Sequence, residues 1–352
     1  MSVLIGKNGT GKTQLLLKII EGLRIQGDTD ADQTAQFGPS PSFNRMLVFS
    51  SVASDPYPRA IPPWQELDYE YFSMIATLSA DRDVLTSALV DCLRDDGKIQ
   101  FFEGGPFNPR GRLVLLERSM TSLGIWPSIY LPLKIQAEEY DLPSPLVWGG
   151  RPFFPLARAR TLNEQRRLLL VQAMDWTQSP LIFGSGDQPR NLSSGEFAMF
   201  RFAAQAAGSV ERGCIFLFDE PETHLHPNFI SEFMDVLHTI LTATRSVAII
   251  ATHSAYIVRE VPRQRVRILS IENREVSIDT PRLQTFGASV DNISQFVFGD
   301  TNISHRYQGT LQEWLCSLGP DITIESIVES YGGVMNSETL SYVAQLLRDR
   351  VQ

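Results

Sequence analysis

Gly6-Lys7-Asn8-Gly9-Thr10-Gly11-Lys12-Thr13 has the spacing G-x-x-x-x-G-K-[ST]. It follows the apolar run Val3-Leu4-Ile5 and precedes Leu15, Leu16, Ile19, Ile20 and Leu23, which recur at helical spacing. Between a strand and a helix, such a loop turns several backbone N–H groups toward one point, at the positive end of the helix that begins near Lys12. Phosphate oxygens are what such a cradle holds. Lys12 would neutralise β- and γ-phosphate charge, and the Thr13 hydroxyl would ligate Mg²⁺. A glycine-rich turn capping an ordinary helix is the plainer alternative, and the flanking strand and helix count against it.

A second pattern lies far along the chain. Cys214-Ile215-Phe216-Leu217-Phe218 runs straight into Asp219-Glu220, two acids that are costly at the edge of a core unless they have work to do. Asp219 is placed to hold Mg²⁺, and Glu220 is the candidate general base for an attacking water. An acidic helix start after a buried strand is the plain reading of the same residues. Further on, Ile249-Ile250-Ala251-Thr252-His253-Ser254 is another apolar run ending in a polar group. If both runs are parallel strands of one sheet, their C-terminal ends share an edge, and His253 reaches the γ-phosphate held above it. Leu192-Ser193-Ser194-Gly195-Glu196 opens a helix in which Ser193 and Glu196 fit the S-x-x-E capping box, so local structure alone accounts for them. His224 and His226 beside Glu222 lack a third independent ligand and are not read as a metal site.

The elements that must carry these residues follow from periodicity. Polar residues 26–44 form a loop before the strand Met46-Leu47-Val48-Phe49. The run Asp28-Thr29-Asp30-Ala31-Asp32 resembles the start of a calcium loop, but Gln33 stands at the turn glycine and Pro39 at the bidentate Glu. Helical spacing returns in Val84 to Leu93 and Leu162 to Trp176, among Gly and Pro clusters, so 81–189 is expected to be an inserted, mainly helical lobe. A helix over Gly195 to Ala207, the Asp219 strand, a helix with Phe229, Phe233, Val236, Leu237, Ile240 and Leu241 on one face, and the strand Val247 to Ala251 then make a βαβ unit. Val266 to Ile271 and Val276 to Ile278 form a hairpin, and 286–352 is expected to be a helical tail.

Composition narrows the setting. With 43% of 352 residues hydrophobic and 20% charged, the chain is globular. A net charge of −9 argues against coating nucleic acid or an anionic membrane, although a local basic groove stays open. The three cysteines are widely spaced with no CxxC, and no apolar run is long enough for a spanning helix, so the expectation is a soluble cytoplasmic protein with no membrane partner.

In that order, the four elements resemble the ATP-binding cassette (ABC) ATPases, and within them the soluble OLD-like and RecF-like branch. GKNGTGKT resembles the Walker A motif, LSSGE the signature, IFLFDEPETHLHP a Walker B running into the D-loop, and IIATHS the switch histidine. The resemblance covers 1 to about 80 and 190 to 280. It implies an α/β fold, a P-loop NTPase with an ABC-type core at 1–80 and 190–285, built on a mostly parallel sheet flanked by helices. It also implies ATP and Mg²⁺ as cofactors and a homodimer or higher homo-oligomer sandwiching two ATPs, each held by Gly6 to Thr13 of one subunit and Ser193, Ser194 and Gly195 of the other. Three departures stand out. Only five residues precede Gly6, so either the start is truncated or adenine recognition is weak; no glutamine follows Phe49, Gln65 being a distant candidate; and Glu196 replaces the signature glutamine. No acidic strand-and-DxD pattern of a Toprim nuclease follows His253, and 70–190 is too short and proline-broken for long coiled arms. The expected role is a standalone ATPase regulating a separately encoded effector, in phage defence. A DNA-repair ATPase is the runner-up, with Arg151, Arg158, Arg160, Arg166 and Arg167 as a basic groove or a solvated face. A transporter subunit comes third.

Overall fold

A computed structural model describes residues 1–25, 42–52, 54–59, 67–75, 82–94, 111–135, 142, 145–184, 188–272, 275–298, 306–319, 322–335 and 337–351. The calcium-like run from Asp28 and the glutamine candidate Gln65 lie outside them. In chain order the elements are β1 (Ser2–Ile5), α1 (Lys12–Ile25), β2 (Arg45–Ser50), β3 (Asp68–Ser73), α2 (Val84–Arg94), α3 (Arg112–Ser122), β4 (Ile129–Pro132), β5 (Leu146–Trp148), β6 (Arg151–Pro155), α4 (Glu164–Ala173), β7 (Leu181–Ile182) and α5 (Ser194–Ser209). There follow β8 (Ile215–Asp219), α6 (Pro227–Thr244), β9 (Val247–Thr252), α7 (Ala255–Val258), β10 (Val266–Glu272), β11 (Glu275–Asp279), α8 (Val290–Phe298), α9 (Arg306–Ser317), α10 (Ile324–Tyr331) and α11 (Ser337–Val351).

Seven strands form one sheet in the order β11-β10-β1-β9-β8-β2-β3, parallel throughout except for the β10–β11 hairpin at its edge. Alternation along each strand sends side chains to opposite faces, and both faces are covered. Val3, Ile5, Leu47, Phe49, Phe216, Phe218 and Ile250 face the core shared with α5 and α6, where Phe202 and Phe233 close on Phe218 at ring-centroid distances of 5.7 and 5.4 Å. Leu4, Met46, Val48, Ile215, Leu217 and Ala251 face α1, whose Leu16, Ile20 and Leu23 are buried on them. This is the fold of a P-loop NTPase: an α/β sandwich with the glycine-rich loop between its first strand and first helix.

Among its described residues the segment 81–189 holds the helices α2, α3 and α4. It carries a second, four-stranded antiparallel sheet in the order β5-β6-β4-β7. Strands of two to five residues, two of them ending in proline, are too short for their alternation to stand out. The segment is also no separate lobe. Leu85, Leu89 and Cys92 of α2 and Leu113, Leu115 and Leu116 of α3 join the same core as α5, and the compact unit runs from Met1 to Phe298.

The tail boundary moves as well. Ile293 of α8 belongs to the main core, so the second unit begins at Gly299 rather than 286. That unit, Gly299–Gln352, is built from α9, α10 and α11 around Leu315, Ile327 and Val343. No helix among the described residues is long and apolar enough to cross a membrane.

Candidate functional site

Strand register brings the separated motifs to one edge. Leu4 pairs with Ala251, Ala251 with Asp219, and Asp219 with Ser50, so the C-terminal ends of β1, β9, β8 and β2 stand side by side. The loop Gly6 to Gly11 leaves β1 at that edge and turns into α1 through Gly9 and Gly11, both in the left-handed region at φ 83° and 84°. Gly6 is required for a different reason: a Cβ there would lie 2.4 Å from the Leu269 carbonyl oxygen of β10.

Lys12 is buried, and its Nζ donates to the carbonyl oxygens of Gly6 (2.9 Å) and Lys7 (3.1 Å). Burial pulls its pKa down, against the opposing pull of Glu220, Asp219 and Glu222. The Thr13 hydroxyl donates to Asp219 Oδ2 at 2.8 Å, which joins the first helix to the end of β8 across 206 positions of sequence. Asp219 is fully buried, and burial raises its pKa although two hydroxyls bond its Oδ2. Its other oxygen, Oδ1, is buried with no hydrogen-bond partner among the described residues. A buried anionic oxygen without a donor is a poor structural feature and a good cation ligand, so Thr13 and Asp219 fit a magnesium site. Mg²⁺ bound there would neutralise phosphate charge; the chain itself supplies the Thr13 hydroxyl and the Asp219 carboxylate to hold it.

The second hydroxyl on Asp219 comes from a residue that motif reading misses. Tyr57 OH donates to Oδ2 at 2.9 Å and is buried, its pKa driven far above the ordinary phenol range by burial and by Asp219. The segment carrying it follows β2, where a glutamine was sought. Ser51 stands there instead, its backbone N–H on the Asp219 carbonyl (3.0 Å) and its own hydroxyl buried without a partner among the described residues. The only trace of Tyr57 in the sequence is an aromatic between prolines, Pro56-Tyr57-Pro58, which reads as loop.

Glu220 sits at φ 50°, ψ 52°, a left-handed conformation uncommon for a residue with a side chain. Its N–H is fixed to the Ala251 carbonyl (2.8 Å), and its own carbonyl accepts from the backbone N–H (3.1 Å) and hydroxyl (3.0 Å) of Thr223. The tight turn aims the carboxylate at His253, with Oε1 3.4 Å from Nδ1. That bond lowers the Glu220 pKa and raises that of His253, each favouring the charged form of the other.

Glu222 completes the arrangement and was not singled out for chemistry by its sequence. It turns inward from the short 3-10 helix Pro221–His224. Its Oε1 accepts from the Thr252 hydroxyl, from the His253 backbone N–H at 3.0 Å, and lies 3.3 Å from His253 Nδ1. Burial raises its pKa, and Oε2 has no hydrogen-bond partner among the described residues. His226 does something separate: it caps α6, its Nδ1 accepting from Asn228 N–H at 3.3 Å.

Ser193, Ser194 and Gly195 stand at the start of α5. The capping box is present in full, with Ser193 N–H on Glu196 Oε2 (2.8 Å) and Glu196 N–H on Ser193 Oγ (3.2 Å), and Arg190 clamps the second Glu196 oxygen at 2.9 Å. Ser193 and Ser194 are exposed, and Gly195 is pressed against the Phe229 ring. Among the described residues no bond joins these three to the loop after β1, so a single chain gathers Lys12, Thr13, Asp219, Glu220 and His253 and leaves the α5 start apart.

Three comparisons with known proteins bear on this geometry. Residues 187–259 match the family model described as "AAA domain, putative AbiEii toxin, Type IV TA system"; the match spans the α5 start, Asp219 to Glu222 and His253 but not the glycine-rich loop. Protein ea59 of Escherichia phage lambda is 29% identical over 159 residues, 45% of this chain and 30% of that protein. The chain thus aligns with under a third of the length of that curated relative. Among solved structures, an inward-facing metal-chelate-type ABC transporter overlaps 84% of this chain and 76% of its own at 11% identity, with a TM-score of 0.32, too loose a superposition to bear on the fold.

Proposed function

We propose that this chain is a cytoplasmic, magnesium-dependent ATPase of ABC type, of the soluble OLD-like branch, that dimerises around ATP and regulates a separately encoded effector. The observation that carries the ATPase reading is the convergence at one sheet edge of a lysine-bearing phosphate loop, a Thr13–Asp219 pair with an orphaned carboxylate oxygen, and a Glu220–His253 pair. In this reading the loop N–H groups and Lys12 hold the β- and γ-phosphates, Glu220 takes a proton from the attacking water, and protonated His253 faces the γ-phosphate. The effector role is supported by company: the matching family is described by a toxin of a toxin–antitoxin system, and the matching relative comes from a phage.

Direct DNA binding has weaker support. Arg160 pairs with Glu117, Arg151 lies 3.9 Å from Asp175, and Arg167 bonds the Ala159 and Arg160 carbonyls, so these arginines serve their own segment.

Two variants test the reading together. Lys12→Ala should abolish ATP binding in a calorimetric titration, whereas Glu220→Gln should bind ATP normally, hydrolyse it about 10² to 10⁴ times more slowly, and accumulate as a dimer with ATP and Mg²⁺. Undiminished affinity in the first, or full turnover in the second, would sink the assignment.

A further inference from the structure

Away from the sheet edge, a cavity of about 640 Å³ opens between the end of β3, α2 and α5, within the range of small-molecule sites. Two of its lining residues are one helical turn apart on α5 and more than nine-tenths buried: Arg201, 5% exposed, and Gln205, 6% exposed. Arg201 gives two guanidinium nitrogens to the carbonyls of Ile75 (2.9 Å) and Ser73, yet its Nε is buried without a partner, and it forms no ion pair among the described residues. Gln205 brings a buried amide to the same wall. A guanidinium cannot shed its proton to escape burial as a lysine can, so its counter-charge has to come from somewhere.

Among the described residues no carboxylate pairs with Arg201 directly, and Asp83 acts on it only from a distance. The described lining holds one carboxylate, Asp91, against three arginines: Arg201, Arg59 and Arg82. Arg59 stacks 4.0 Å above the Tyr71 ring while paired with Asp55 at 3.2 Å, and Arg82 lies 5.1 Å over Trp176. We propose that this cavity is a binding site for a small phosphate-bearing anion, with Arg201 and Gln205 gripping the phosphate oxygens at the bottom, Arg82 at the rim, and Tyr71 and Phe72 flanking the organic part. The remaining protons of the Arg201 terminal nitrogens and an amide one turn away match a group with several oxygens better than they match a monatomic ion.

The cavity wall continues to the magnesium carboxylate. Arg59 holds Asp55, Asp55 accepts from Tyr71 OH (2.7 Å) and from Tyr57 N–H (3.3 Å), and Tyr57 OH bonds Asp219 (2.9 Å). An anion drawing Arg59 toward itself loosens Asp55 and thereby the hydroxyl on Asp219, which makes the cavity an effector site. That coupling rests on the ATPase reading; the binding does not.

The test therefore uses the full chain carrying Lys12→Ala, whose phosphate loop has lost its cation, titrated calorimetrically with inorganic phosphate and with phenyl phosphate. Saturable one-to-one binding is expected. Adding Arg201→Gln should weaken it about tenfold or more, and adding Arg82→Gln, at an exposed position that leaves the fold intact, should weaken it several-fold. Tighter binding of the ester identifies an organic phosphate, and equal affinity identifies phosphate itself. No binding in Lys12→Ala, or binding indifferent to Arg82→Gln, overturns the proposal.

Discussion

His253 stands between two carboxylates that act on it differently. Glu220 bonds Nδ1 and is the larger reason the imidazole pKa is raised; burial opposes it, and Glu222 adds to the raising. A raised pKa keeps His253 protonated above the pH at which a free imidazole, near 6.5, would lose its proton. The His253 contribution to turnover is therefore present below the raised value and lost as pH rises through it, while the acid limb belongs to Glu220, which must be ionised to act as base. Glu222→Gln keeps an acceptor for Thr252 and for the His253 backbone N–H but removes the charge, so the alkaline limb of the pH–rate profile should move to lower pH with little change in KM for ATP. A limb that stays in place would mean that Glu222 only shapes the turn. Asp219, Glu220 and His253 were readable because each ends an apolar run, and a polar residue at the end of a buried strand is conspicuous in one dimension. Tyr57 and Glu222 were not. Tyr57 acts from an irregular proline-flanked loop, and Glu222 looks like one acid among several until the fold turns it inward onto β9.

At the scale of elements, β1 and its loop depend on a strand more than 250 positions away in sequence. Gly6 has ordinary φ but no room for a Cβ, because the Leu269 carbonyl of β10 would be 2.4 Å away and Thr10 Oγ1 2.7 Å away. Gly9 is the opposite case, with φ 83° and nothing within 4 Å. Gly6→Ala should thus force β1 from β10 and cost about 1–3 kcal/mol, as overpacking does, while Gly9→Ala should cost about 1 kcal/mol from left-handed strain alone. Thermal melts of the two variants would rank them; equal losses would show that strand spacing yields. The motif pattern reveals that these glycines matter but not that they matter for different reasons, since β10 enters the argument only when the sheet is assembled. The small sheet of β4 to β7 was illegible for a related cause: its strands are too short for period, and pairing makes them strands.

For the whole molecule, the open matter is whether the start of α5 serves a second copy of the chain. The capping box accounts for Ser193 and Glu196, but it does not use every donor. Glu196 N–H goes to Ser193 Oγ and Phe197 N–H to the Ser193 carbonyl, whereas no hydrogen bond among the described residues takes the N–H of Ser194 or Gly195. Two backbone donors at the positive end of a sixteen-residue helix remain for an anion, so cap and signature are compatible rather than rivals. If that anion is the γ-phosphate held by a partner's Lys12, then mixing Lys12→Ala with Ser194→Arg should restore part of the activity each variant lacks alone. One site of the mixed dimer receives both defects; the other joins an intact Lys12 from one chain to an intact Ser194 from its partner. With one working site in two and half the dimers mixed, roughly a quarter of the wild-type ATPase rate is expected if a site can fire without its twin. Tandem fusion of the two variants removes the uncertainty of mixing, because every molecule then carries one repaired site. Where one site fires without its twin, activity in the fusion no higher than that of the doubly defective chain would mean that Ser194 acts only within its own chain, and the sandwich would have to be abandoned.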